Sequence, residues 1–194
     1  MKKIIQMSVL MLLTINHLSK AQENISIDQS SNIIWPEEFD PSVAKFFVQN
    51  EIEINASPEV VWHILIDAYK WESWYEGAKN LSFVDPEHTE LKADSQFNWE
   101  TMGMKFPNTT IKEFEPYRYL AWESVKKSIQ GYHVWLIIPT EKGCKVITEE
   151  TQNGWLTFFE KTFQGKKLKE LHDIWLSELK IRAEGKGQLL SSDR

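Results

Sequence analysis

The clearest structural pattern in this chain lies in YHVWLIIPTEKGCKVITEETQNGW, which runs from Tyr132 to Trp155. Its two apolar runs predict two long strands joined by a tight turn, and its end predicts the start of a helix. Both faces of the first strand carry large apolar side chains, so neither face is simply exposed to water. His133, Glu149 and Glu150 nevertheless lie within this pattern. A sheet that buries aromatic rings together with ionisable groups predicts a ligand cavity rather than a solid core.

The length of the turn sets which side chains oppose each other across this hairpin. A four-residue loop, Thr140 to Gly143, places His133 directly opposite Glu150, with Trp135 on the same face. Directly opposed residues have Cβ atoms about 5 Å apart, so the imidazole and the carboxylate would be neighbours.

A three-residue loop with Gly143 in a bulge is the alternative, and it shifts the pairing by one residue. That register places Glu149 beside Trp135 instead. The four-residue loop is favoured because it directs the charged Lys145 to solvent, and it predicts that Glu149 points to solvent as well.

The composition predicts a globular domain rich in aromatic side chains. Hydrophobic residues make up 42% of the chain, and nine Trp, ten Phe and five Tyr supply broad, rigid surfaces. The net charge of −6 argues against nucleic acid or an anionic membrane as a partner. The single cysteine, Cys144, excludes an internal disulfide. No His/Cys spacing is typical of a zinc site, so the sequence indicates neither a metal nor a cofactor.

Residues 1–21 have the three parts of a secretory signal peptide. Two lysines follow Met1, Ile4 to Ile15 is a short apolar run, and Ser19-Lys20-Ala21 provides a cleavage site before Gln22. The apolar run is shorter than the about 20 residues that a membrane-spanning helix needs. We therefore expect an exported protein, periplasmic or secreted, with no stable membrane insertion after cleavage.

Changes in composition divide the rest of the chain. Residues 22–46 form a lead-in arm, in which the Pro-punctuated segment Trp35 to Pro41 is expected to pack against the domain. Residues 47–184 form one folded domain, and residues 185–194 form a flexible tail.

The domain begins with a strand and two short helices. Phe47 to Asn55 alternates apolar and polar residues, Pro58 opens the first helix after Ser57 as N-cap, and Asp67 to Tyr75 forms the second. The later strands, separated by turn signals, are predicted at Leu81–Val84, Ser95–Met102, Met104–Glu115, Tyr119–Ser124, Tyr132–Pro139 and Cys144–Gln152.

A long helix from about Trp155 to Glu184 closes the domain. Gly165 interrupts it and predicts either a kink over a cavity mouth or a break between two helices. The order of elements predicts an α+β fold in which a curved antiparallel sheet of six to seven strands grips the C-terminal helix.

Several segments in this order resemble one protein family. They are the hairpin quoted above and NEIEINASPEVVW (50–62), WESWYEGAKNL (71–81), FNWETMGM (97–104), EFEPYRYLAWE (113–123) and HDIWLSELK (172–180). They are similar to the SRPBCC superfamily, the START and birch-pollen-allergen-like helix-grip fold, and within it to the bacterial polyketide cyclase/dehydrase-like branch. The resemblance covers about Trp35 to Glu184. It implies a hydrophobic cavity between sheet and helix, but members bind lipids, hormones or polyketides and some catalyse cyclisation, so it implies no single function.

The long helix brings one more ionisable group towards the expected cavity. His172 lies inside the apolar stripe that also carries Leu168 and Trp175. In a helix-grip fold, His133, Glu150 and His172 would converge. A carboxylate beside a histidine can orient it as a general base, and two histidines with a carboxylate can hold a metal on one face. The other interpretations are a satisfied polar pair in the core and a set of ligand-binding groups, and we expect the three residues to orient a polar group of the ligand.

The sequence therefore predicts a protein that holds a small lipid, isoprenoid or aromatic, polyketide-like molecule. Its cavity walls are expected among Trp99, Trp122, Trp135, Trp155 and Trp175. The first alternative is a cyclase or dehydratase that uses the His/Glu pair for proton transfer. The second is an interaction module whose own side chains fill the cavity, which a pocket much below about 300 Å³ would favour. Nothing in the sequence indicates an oligomeric state.

Overall fold

A computed structural model of the protein describes residues 33–157 and 165–192. The strands are β1 (Phe46–Ile54), β2 (Lys79–Phe83), β3 (Gln96–Thr101), β4 (Met104–Glu115), β5 (Tyr119–Val125), β6 (Gln130–Thr140) and β7 (Gly143–Asn153). They form one antiparallel sheet in the order β1-β7-β6-β5-β4-β3-β2, in which the first strand pairs with the last. All seven predicted strands are confirmed.

The helices complete the predicted α+β helix-grip arrangement. Helix α1 (Pro58–Ile66) begins after Ser57 with proline at its first position, and a 3₁₀ helix, Ala68–Ser73, follows it. A second 3₁₀ helix, Glu37–Phe39, lies in the arm. None of the described helices is long and apolar enough to cross a membrane.

The long helix α2 spans Gly165–Ser192, so it continues past the predicted end at Glu184 into the segment predicted as a tail. The first helical residue after β7 is Thr157, so the helix does not begin at Trp155 as predicted. Gly165 is the first residue of α2, and the choice between a kink and a break concerns residues 158–164, which lie outside the described residues.

The register of the β6–β7 hairpin is the one predicted from a four-residue loop. Thr140 pairs with Gly143, and His133 pairs with Glu150. Lys145 points away from the core and forms an ion pair with Glu51, with 2.8 Å between Nζ and Oε2.

The prediction that Glu149 points to solvent is wrong, because Glu149 is only 7% exposed. Glu149 lies on the outer face of the sheet, and the N-terminal arm packs on that face. The ring of Phe39 stacks on Tyr132 with 5.5 Å between centroids, and the ring of Trp35 lies 5.7 Å from Tyr132. The arm therefore buries a face that strand periodicity alone would leave exposed, and both faces of β6 are covered as predicted.

The inner face of the sheet packs against α2 and the 3₁₀ helix through large aromatic rings. Trp71, Trp122, Trp135 and Trp175 are among the largest fully buried side chains of the protein. The ring of Trp175, on α2, lies 5.0 Å from those of both Trp71 and Trp135. Aromatic pairs at such distances add about 0.5–1.5 kcal/mol each beyond their buried area, so this cluster holds the helix to the sheet.

Candidate functional site

Three ionisable side chains from three elements meet on the inner face of the sheet. Oε2 of Glu150, in β7, lies 3.3 Å from Nδ1 of His133, in β6, and 3.3 Å from Nε2 of His172, in α2. The two imidazole centroids are 4.8 Å apart. His133 is 4% exposed and His172 is 1% exposed. The structure thus brings together the three residues that the sequence predicted to converge.

Two further polar side chains support this cluster from β7. Oγ1 of Thr148 lies 2.7 Å from Nε2 of His133, and Nε2 of Gln152 donates a hydrogen bond of 2.6 Å to Oε1 of Glu150. Sequence reasoning missed both residues. The signal was present, since residues two positions before and after Glu150 share its face of a strand.

Burial and hydrogen bonding set the charges of the cluster. Burial lowers the pKa of His133 to about 4, against the opposing effect of Glu150. Burial alone would raise the pKa of Glu150, but its contacts with His133 and His172 outweigh burial and hold that pKa well below its usual range. Glu150 is therefore a carboxylate and His133 a neutral imidazole at neutral pH.

The hydrogen-bond partners indicate the tautomers of the two rings. A carboxylate only accepts, so Nδ1 of His133 carries the proton that faces Glu150, and Nε2 accepts from the Thr148 hydroxyl. His172 donates from Nε2 to Glu150. Nδ1 of His172 is buried and has no hydrogen-bond partner among the described residues.

A cavity of about 40 Å³ lies against this cluster. His133, Glu150 and His172 line it, and the other walls are mainly aromatic and methionine side chains. The rings of Trp122 and His133 are 4.7 Å apart, so the aromatic wall joins the polar cluster directly. The site can hold a polar group by hydrogen bonds while apolar surface packs on the rings.

The predicted tryptophan walls divide into three groups. Trp99, Trp122 and Trp175 line the cavity. Trp135 does not line it; this residue is fully buried and its ring stacks on His133 at 5.5 Å. The prediction for Trp155 is wrong, because it is 63% exposed.

Tyr75 is a cavity wall that sequence reasoning missed. Its ring stacks on Trp175 with 4.2 Å between centroids. The available signal was its place at the end of the aromatic segment 69–75, just after the 3₁₀ helix Ala68–Ser73.

A second cavity of about 420 Å³ adjoins the first and shares Thr101 and Met102 with it. We call it the vestibule; its charged lining residues are Glu76, Lys79, Glu100 and Lys167. The β3–β4 turn contributes to the lining of both spaces, with φ of 51° at Met102 and 76° at Gly103.

The model of the polyketide cyclase/dehydrase and lipid transport family matches residues 45–184. This chain belongs to that family. The resemblance predicted from the sequence is confirmed, and membership of the polyketide cyclase/dehydrase family suggests a ligand-binding or cyclase-like role. No curated protein matches the chain.

Solved structures share the fold of this chain. The hypothetical protein jhp0584 from Helicobacter pylori is 26% identical, with a TM-score of 0.72 over 78% of this chain and 95% of that chain. TTHA0849 from Thermus thermophilus is 19% identical, with a TM-score of 0.59 over 73% of this chain and 99% of that chain. The di-domain ARO/CYC StfQ from the steffimycin biosynthetic pathway is 14% identical, with a TM-score of 0.58 over 72% of this chain and 51% of that chain. The last two likenesses show the fold alone.

Proposed function

We propose that this member of the polyketide cyclase/dehydrase family binds a small, mainly apolar molecule and orients its polar group against His133, Glu150 and His172. The ligand class is a lipid, an isoprenoid or an aromatic, polyketide-like molecule. The observation that carries the proposal is a buried carboxylate placed at the wall of an aromatic cavity. Desolvating a charge costs free energy that a solid apolar core would avoid. A buried carboxylate at a cavity wall is therefore better explained by a role in binding the polar group of a ligand.

A ligand of that class requires the cavity to enlarge. Its about 40 Å³ is far below the about 300 Å³ at the lower end of ligand pockets. Met102, Met104 and Leu168 contribute to its lining. Methionine side chains are unbranched and re-pack readily, and displacement of Met102 would join the cavity to the vestibule of about 420 Å³.

The small volume favours a second candidate, an interaction module whose side chains fill the cavity. The four fully buried tryptophans supply that filling. The two candidates differ in whether the native protein takes up an apolar molecule at the cluster, so a binding measurement separates them.

The rival enzyme, a cyclase or dehydratase, would use the His/Glu pair for proton transfer. Both nitrogens of His133 are already engaged, by Glu150 and by Thr148. A general base needs a nitrogen within reach of the substrate, so the contacts of His133 favour a role for this residue in orienting a ligand over proton transfer. An enzyme would lose turnover on His133→Asn while it kept its affinity for the ligand.

The proposal is tested by titrating the native protein with an environment-sensitive dye such as anilinonaphthalene sulfonate. We expect saturable binding to one site and displacement by fatty acids or flat aromatic molecules. Met104→Trp should abolish binding because the larger ring occupies the cavity, whereas Lys105→Trp, on an exposed neighbour, should not. Absence of saturable binding by any such probe would support the filled module.

Export is part of the proposal. It is supported by the two lysines after Met1, the apolar run Ile4 to Ile15 and the small residues before Gln22, which lie outside the described residues. N-terminal sequencing of the protein from its native host should begin at Gln22. Intact Met1 on protein from a cytosolic fraction would contradict export.

A further inference from the structure

The same cluster has the donor atoms of a metal site. His133, Glu150 and His172 each offer one ligand atom, a ring nitrogen or a carboxylate oxygen, and these three atoms lie within 4.8 Å of one another. Two imidazoles with one carboxylate suit Zn²⁺, Co²⁺ or Fe²⁺ better than they suit Mg²⁺ or Ca²⁺, because the latter two ions prefer oxygen ligands alone. The three residues come from β6, β7 and α2, which explains why no local zinc spacing appears in the sequence.

The distances fit a metal with little rearrangement. Bonds of about 2.0–2.2 Å in a tetrahedral site separate neighbouring donor atoms by about 3.4 Å. The carboxylate oxygen of Glu150 already lies 3.3 Å from each imidazole nitrogen. Only the two imidazole nitrogens need to approach each other to complete the arrangement.

Neighbouring residues hold two of the three ligands, His133 and Glu150, as metal sites require. A metal on Nδ1 of His133 would leave the ring proton on Nε2, and Oγ1 of Thr148, 2.7 Å from Nε2, would then accept the N–H hydrogen bond that metal-bound histidines usually donate. The second oxygen of Glu150 accepts a hydrogen bond from Gln152. Both partners fix the orientation of a ligand without competing for the donor atom that would face the metal.

The adjoining cavity leaves room for a fourth ligand. A water molecule needs about 10–15 Å³, and the cavity offers about 40 Å³. Three protein ligands with one open position are typical of zinc sites that bind or activate a molecule, whereas structural sites are closed by four protein ligands.

We propose that His133, Glu150 and His172 bind one divalent transition-metal ion, whose open position faces the aromatic cavity. The inference goes beyond the proposed ligand binding and does not depend on it. A metal at this position would anchor an oxygen of a ligand directly, as a Lewis acid.

The test is a titration of chelator-treated protein, free of any histidine tag, with Zn²⁺ by calorimetry and with Co²⁺ by visible absorption. We expect one ion per chain and Co²⁺ bands typical of low coordination number. Loss of an outer-shell partner weakens metal binding by about 10–100-fold. We expect a larger loss of Zn²⁺ affinity in each of the three ligand variants, His133→Ala, Glu150→Gln and His172→Ala. His63→Ala and His88→Ala are matched controls from outside the cluster and should leave affinity unchanged.

Thr148→Val keeps the shape of the side chain and all three ligands. It therefore tests the metal site even if a variant that lacks a ligand does not fold. It should weaken Zn²⁺ binding by about 10–100-fold while circular dichroism stays native. Absence of stoichiometric binding by the wild-type protein, or affinity that survives in the three ligand variants, would overturn the inference. Dye binding measured in chelator reports on the apolar ligand separately, so either proposal can fail alone.

Discussion

Nε2 of His172 and Oε2 of Glu150 lie 3.3 Å apart, and this contact ties α2 to strand β7 of the sheet. The contact is polar and lies beside the tryptophan rings that pack α2 on the sheet, and further hydrogen bonds join α2 to β1, such as that from Nδ2 of Asn50 to Oδ1 of Asp173. Apolar packing is non-directional, whereas a hydrogen bond fixes a direction. The pair therefore sets the position of the helix over the cavity as well as the chemistry of the site.

Glu150→Gln should lower the free energy of unfolding by about 1–3 kcal/mol in metal-free buffer. The amide keeps the shape of the carboxylate but loses its charge and places an NH₂ group among N–H donors. Urea denaturation followed by circular dichroism measures the change. Glu87→Gln, on an exposed loop, is the control and should stay within about 0.5 kcal/mol. Equal stability of the two variants would mean that the buried contacts of Glu150 do not form.

Glu149→Gln should raise the melting temperature at pH 8 and change it little at pH 4.5. Burial raises the pKa of Glu149 from 4.5 to about 7, so the folded protein holds this proton more tightly than the unfolded chain. The stabilising contribution is thus complete below about pH 4.5 and is lost as pH rises through about 7. The neighbouring phenols, Tyr119 and Tyr132, remain protonated because burial raises their pKa values.

Thermal melts across this pH range check the prediction for Glu149. Glu141→Gln, in the exposed hairpin turn, is the matched control and should follow the wild-type curve. Parallel curves for wild type and Glu149→Gln would show that the carboxyl group is hydrated in the folded protein.

The pairing of His133 with Glu150 could be predicted because hairpin register depends on local turn length and on which charges point outward. The burial of Glu149 could not. It depends on an arm that lies far away in sequence and packs its rings on Tyr132, and strand periodicity carries no information about such a cover. The fold was therefore predictable from local patterns, while the outer face required the tertiary structure.

The tryptophans show a second limit of sequence reasoning. Residue type predicts that Trp135 and Trp175 are buried. It does not predict that Trp175 lines the cavity whereas Trp135 does not. Trp155 lies just after the last strand and is exposed, although it resembles the others in sequence context. Which ring faces the cavity depends on the placement of α2, which only the folded chain defines.

Trp175→Ala should lower the free energy of unfolding by about 3–5 kcal/mol, as expected for loss of a large buried ring. The ring packs on Tyr75 at 4.2 Å and on Trp71 at 5.0 Å, so its removal leaves a void between helix and sheet. Trp155→Ala removes the same side chain from a position that is 63% exposed and should cost less than about 0.5 kcal/mol. Urea unfolding monitored by circular dichroism compares the two, and similar losses would contradict the assignment of Trp175 to the core.

Gly143→Ala should destabilise the protein strongly, because Gly143 lies where the β6–β7 hairpin passes close to the end of β1. Its φ is +154°, and an added Cβ would overlap the carbonyl oxygen of Ile54 and lie 2.7 Å from the backbone nitrogen of Ala56. These backbone atoms cannot move aside easily, since Ile54 pairs with the residue after Gly143 in the sheet.

Gly103 provides the control, because its φ is +76° but an added Cβ would meet no heavy atom within 4 Å. Gly103→Ala should cost about 1–2 kcal/mol from backbone strain alone, whereas Gly143→Ala adds a steric clash to that strain. Melting temperatures of the two variants should therefore differ by several degrees, since about 1 kcal/mol shifts the melting temperature by about 2–4 °C in a domain of this size.

The same clash should disturb the register that holds His133 against Glu150, so metal or dye binding should fall in Gly143→Ala and persist in Gly103→Ala. Equal losses of stability in both variants would show that β1 does not approach the hairpin this closely.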